Sequence, residues 1–112
     1  MITYDLSQHV AGDTWAGIPL ISISRNSIPL DLTGATADFK VKYQIDAPTL
    51  LHLSANDGSI ITLSPAISGN LQIPPRIVDI PPATYIWSLK VTLASGEIDT
   101  FASGRWPIIK TA

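Results

Sequence analysis

Apolar and polar side chains alternate along residues 35–45, ATADFKVKYQI. Ala35, Ala37, Phe39, Val41, Tyr43 and Ile45 share one parity; Thr36, Asp38, Lys40, Lys42 and Gln44 share the other. A period of two predicts a β-strand with one face on a core and the other in water. Residues 84–93, TYIWSLKVTL, repeat the pattern with Tyr85, Trp87, Leu89, Val91 and Leu93 facing inward. The turn ASGE and the return EIDTFASGRWPII complete a hairpin, with a break expected near Gly104. Residues 49–63, TLLHLSANDGSIITL, predict a second hairpin. Asn56-Asp57-Gly58 tolerates the backbone angles of a tight turn, and Leu51 and Leu53 would face Ile61 and Leu63. Residues 70–85 hold Pro74-Pro75 and Pro81-Pro82. Proline cannot donate to a ladder, so that stretch reads as an edge strand or an extended connection. Residues 22–36 predict a turn over residues 25–27, a short strand and a turn at Gly34, where Thr33 and Thr36 can bond nearby backbone.

Residues 12–24, GDTWAGIPLISIS, break the rule. Ile18 and Leu20 stand on the parity opposite to Trp15, Ile21 and Ile23. One reading is a bulge near Gly17 and Pro19 that flips the alternation. The other is a strand with one side on the core and the other against a neighbouring subunit. That second reading makes Trp15, Ile18, Leu20 and Trp106 the candidate interface residues.

No helical pattern emerges. Short strands with turn signals about every ten residues predict an all-β fold, an immunoglobulin-like antiparallel sandwich of about seven to eight strands. The 112 residues suit one domain spanning the whole chain. A chain of this size buries roughly two-thirds of its unfolded surface, enough for one core without staples. There is no cysteine, so disulfides and thiolate metal sites are excluded and Trp87 can fill the centre. No apolar run reaches the roughly 18 residues that a membrane helix needs, and the N-terminus lacks signal-peptide character. Neither a membrane nor a nucleic-acid partner is expected: net charge is −2, and of the seven Lys and Arg only Lys40 and Lys42 stand close in sequence. Charged residues make up only 14% and mean hydropathy is +0.27, against about a quarter charged in an ordinary soluble domain. Either this is a neutral domain rich in Ser and Thr, or other subunits cover part of it.

Catalytic chemistry has little footing. His52 sits on the parity opposite Leu51 and Leu53 and reads as a surface side chain; His9 reads as a loop residue before Gly12. The carboxylates form no tight cluster, and the NDG turn lacks the further oxygen ligands of a calcium loop. No catalytic residue, metal ligand or cofactor site is assigned. The three tryptophans remain. Trp87 reads as core, while Trp15 and Trp106 can be core edges, interface anchors or a sugar-stacking platform.

The order of the motifs carries a resemblance. Gly12-Asp13-Thr14-Trp15, Asp31-Leu32-Thr33-Gly34 before the long strand, Asp57-Gly58 with Ile60, Ala83-Thr84-Tyr85 opening a strand, and Ser103-Gly104 follow one another along the chain. This resembles small tailed-phage proteins, in particular the N-terminal immunoglobulin-like domain of siphophage upper baseplate proteins. It covers about residues 10–108, and departs at Ala83, where the family usually has Gly. The resemblance implies a structural protein of the virion with no catalytic residues, an adaptor of the tail, baseplate or tail fibre. Its partners would be other phage structural proteins (tail, fibre or capsid subunits), met in multiple copies within a symmetric assembly. A capsid decoration protein is the nearest alternative, and a carbohydrate-binding module the alternative from another class.

Overall fold

The computed structural model describes residues 2–25, 27–44 and 46–110, except for the side chains of Ile2 and Arg25. The strands in chain order are β1 (Ile2–Thr3), β2 (His9–Val10), β3 (Thr14–Trp15), β4 (Ile18–Ser22), β5 (Ser24–Arg25), β6 (Ile28–Pro29) and β7 (Thr36–Lys42). They continue with β8 (Thr49–Ser54), β9 (Ile61–Thr62), β10 (Asn70–Ile73), β11 (Arg76–Ile77), β12 (Ala83–Thr92) and β13 (Ile98–Ile109). One 3₁₀ turn, Ala66–Ser68, interrupts them.

The main sheet runs β1-β13-β12-β7-β8, with β2 also paired to β13. A second sheet runs β4-β10-β9, and the short pairs β11-β3 and β5-β6 extend the structure around it. Both sheets feed one core: Phe39, Val41, Leu89 and Trp106 from the main sheet pack in the same cluster as Leu71 and Ile73 from the second. This is an all-β, sandwich-like architecture.

The two strands with the cleanest alternation form as expected. In β7 and β12 the side chains of Ala37, Phe39, Val41, Tyr85, Trp87, Leu89 and Val91 are buried, and their neighbours lie on the other face. β7 stops at Lys42, so Tyr43 is exposed and Ile45 lies outside the described residues. The turn after β12 closes with Gly96 N–H donating to the Leu93 carbonyl and Leu93 N–H to that of Glu97. β13 then runs unbroken through Gly104, against the expected break. Its irregularity falls at Phe101, which is skipped between the pairs Leu89–Ala102 and Lys90–Thr100.

Two further expectations are corrected. Residues 49–63 are no hairpin: β8 pairs with β7 in the main sheet, whereas β9 pairs with β10 in the other. The NDG turn is real, with Asp57 accepting from Ser59 N–H and Ile60 N–H donating to the Ser54 carbonyl, but it carries the chain across the sandwich. Leu53 is buried while Ile61 is exposed, so they do not face each other in the core. Within residues 70–85 the edge-strand reading holds for β11, beyond Pro74-Pro75, but not for β10, which lies between β4 and β9. Ser24–Arg25 and Ile28–Pro29 do pair around the expected turn, whose Asn26 lies outside the described residues. At the next turn the Asp31 carboxylate accepts from both the hydroxyl and the amide of Thr33, which hold it below the usual carboxylate range.

The Tyr85 hydroxyl donates to the Pro81 carbonyl, tying the start of β12 to the Pro81-Pro82 corner. Burial, with Tyr43 beside it, pushes the Tyr85 phenol up. Tyr85→Phe keeps the ring and deletes only the donor. A net cost of about 1 kcal/mol is expected, read as a lowered urea midpoint at unchanged slope.

Candidate functional site

The parity conflict at residues 18–20 resolves at a bulge. Leu71 pairs with Ile21, but Ile73 pairs with Ile18, so Pro19 and Leu20 together stand opposite Gln72. One extra residue flips the alternation. Ile18 and Ile21 therefore both pack against the core, and Leu20 is 57% exposed. Gly17 makes the approach possible. Its φ is +74°, and a Cβ there would stand 2.1 Å from the Ile73 carbonyl oxygen.

β4 is the edge of its sheet. Facing it across the open side of the sandwich, the N-terminal segment runs along β13. Tyr4 N–H donates to the Ser103 carbonyl and Leu6 N–H to that of Arg105. Between these two walls lies an apolar groove of about 600 Å³. Leu6 and Leu20 form its sides, and Trp15, Phe39, Trp87 and Leu89 are among its deeper lining. Tyr4, 60% exposed, stands at its margin.

Of the four candidate interface residues, three line this groove: Trp15, Ile18 and Leu20. Leu20 alone is largely exposed; Ile18 and Trp15 are part-buried. Trp106 does not belong with them. It is 0% exposed, its ring 4.6 Å from that of Trp15, and its Nε1 donates to the Ser7 carbonyl. It is a core residue and offers no surface to a neighbour. Trp15 links the two regions, stacked at 5.9 Å on Phe39 while bordering the groove. Trp87 is 5% exposed, so the three indoles form no exposed coplanar platform of the kind a sugar would stack on.

His9 is not in a loop. It belongs to β2, is buried, and places Nε2 3.1 Å from the Val78 carbonyl oxygen. His52 is a surface side chain, with Nε2 2.8 Å from an Asp38 carboxylate oxygen. Among the described residues no group of three or more His, Asp or Glu could hold a metal ion. Nor is any helix among them long and apolar enough to cross a membrane.

Two surface features escaped the sequence reading. Tyr4 and Leu6 were not assigned, although Ile2, Tyr4 and Leu6 share one parity, a short period-two signal. The scattered cations were also not seen to meet. Lys40 and Lys42 on β7, Lys90 on β12 and Arg105 on β13 line one concavity of about 410 Å³ on the outer face of the main sheet. Strand pairing, which the alternation alone does not give, brings them together.

No protein-family model matches the chain, and comparison with curated proteins finds no match.

Proposed function

We propose that this chain is a non-enzymatic structural subunit of a tailed-phage virion, an immunoglobulin-like adaptor of the tail, baseplate or tail fibre that works by docking to neighbouring proteins. The observation that carries the docking reading is the apolar groove beside β4, with Leu20 exposed at its side. A leucine covered by a partner gains about 1.5–3 kcal/mol over one left in water. Low charge content fits a surface partly covered in the assembled particle. Repeated copies in a symmetric particle would make a modest contact sufficient through multivalency.

The immunoglobulin-like reading rests on three features. The β13-β12-β7-β8 sheet and the β4-β10-β9 sheet share one core, the N-terminal strands run parallel to β13, and Tyr85 bonds back to the corner before β12 as a tyrosine corner does. The phage assignment rests on the ordered motifs of the sequence.

Leu20→Asp tests the groove. The side chain is mostly in water, so folding stability is expected to change by about 0.5 kcal/mol or less. Incorporation into particles is expected to fall roughly tenfold, the effect of losing about 1.4 kcal/mol at a docking contact. Unchanged incorporation by this variant would remove the groove from the assembly surface.

A further inference from the structure

The outer face of the main sheet carries a second, chemically different surface. Rows of side chains cross it. Lys42, Ile86 and Arg105 form one row, since Ile86 pairs with Lys42 on one side and Arg105 on the other. His52, Lys40, Ser88 and Ser103 form the next, and Ser54, Asp38, Lys90 and Thr100 the third. Short Ser88 and Ser103 lie between the long side chains of Lys40, Lys42 and Arg105, which gives the concavity its shape.

The charge on this face opposes that of the molecule. Lys40, Lys42, Lys90 and Arg105 stand against Asp5 and Asp38, a formal +2 on a chain of net −2, so the rest carries −4. Both acids are engaged: Asp38 meets His52 at 2.8 Å, and Asp5 accepts from the Arg105 backbone N–H at 3.0 Å. Asp99, the remaining acid on these strands, pairs opposite Val91, whose side chain enters the core. Four neighbouring cations of one sign repel one another and raise the affinity of a complementary surface.

We propose that this face binds an extended acidic segment of a partner protein, with carboxylates at alternate positions. Lys40 and Lys42 are two residues apart on one strand, a repeat of about 6.6 Å, and an extended peptide carrying Asp or Glu at every second residue has the same repeat. Arg105 offers a planar fork across the groove from them, suited to a carboxylate. Ser88 and Thr3 supply hydroxyls for peptide groups between the charges. A single-stranded nucleic acid fits less well, because it needs rings to stack on. The one ring among the lining residues is that of Trp87, which is buried with its Nε1 on the Tyr4 carbonyl.

The inference deepens the docking reading by naming the chemistry of one partner, on a surface separate from the apolar groove. Its test is fluorescence anisotropy with the intact chain and three labelled probes: an alternating Glu-Ser octapeptide, its Lys-Ser counterpart and a deoxythymidine octamer. The Glu-Ser peptide is expected to bind, to weaken with added salt, and to lose roughly tenfold in affinity to the Lys40→Glu/Lys42→Glu variant. The Arg76→Glu variant, changed in charge away from this face, should bind like the parent chain. Absence of binding, tighter binding of the deoxythymidine octamer, or equal loss in both variants would overturn the proposal. Peptide binding by a chain that is absent from phage particles would overturn the virion reading and leave this face standing.

Discussion

Trp106→Ala is expected to lower the stability of the isolated chain by about 4 kcal/mol, the middle of the range for emptying a large aromatic site. The side chain is fully buried between three other rings: Trp15 at 4.6 Å, His9 at 5.9 Å and Phe39 at 6.3 Å. Removing it leaves a cavity that β13 and the N-terminal segment cannot close together, and strips the Ser7 carbonyl of its Nε1 donor. A loss of that size is a large fraction of the roughly 5–15 kcal/mol that holds such a domain together. Urea unfolding followed by far-ultraviolet circular dichroism reads it directly. Trp106→Phe should fall between, because it keeps a ring and loses only part of the volume and the hydrogen bond. A Trp106→Ala chain with an unchanged midpoint would return this residue to the surface and to the interface candidates.

Gly104→Ala should cost about 3 kcal/mol, through a different route. A Cβ at this position would stand 1.8 Å from the Tyr4 carbonyl oxygen and 2.6 Å from its carbon, so backbone has to move. That carbonyl accepts the Trp87 Nε1–H at 3.1 Å, and the same segment is held by Tyr4 N–H on Ser103 and Leu6 N–H on Arg105. The added methyl pries the N-terminal segment from β13. Amide exchange at Tyr4 and Leu6 should accelerate well beyond the change at Leu89, in the middle of the main sheet. Since Leu6 and Tyr4 line the groove opposite β4, the variant should also weaken docking, although it touches neither Leu20 nor Trp15. Equal exchange rates in parent and variant at Tyr4 and Leu6 would show that the close approach is relieved elsewhere.

The sequence spoke clearly where one strand obeys one rule. β7 and β12 each face a core on one side and water on the other, so alternation marks both their existence and their inner face. It was silent on which strand lies beside which. That is why residues 49–63 read as a hairpin: a tight Asn-Asp-Gly turn looks alike whether the chain returns to its own sheet or crosses to the opposite one. The same gap hid the basic face, since Lys40, Lys90 and Arg105 become neighbours only through the pairing of β7, β12 and β13. At residues 18–20 the alternation failed because a bulge adds a residue, and the bulge was one of the two readings open from sequence. Residues 70–85 were read together as an edge strand or an extended connection because of their two Pro-Pro pairs, yet Pro74-Pro75 stands just past β10, and Leu71 and Ile73 are free to enter the core from the middle of their sheet. Of the candidate interface, Leu20 and Ile18 were legible as a parity anomaly. For Trp106 the sequence left core edge, interface anchor and sugar platform open, because a strand break was expected at Gly104; its burial makes it core.

The central claim is that this chain is a docked part of a phage particle. The most direct measurement is mass spectrometry of purified particles of the proposed source phage, joined to immunogold labelling with antibody against the chain. The account expects several copies per particle, with label at the tail tip or fibres; label over the head would instead make the chain a decoration protein of the capsid. Particles that are infectious and complete, yet contain none of this chain, would contradict the account.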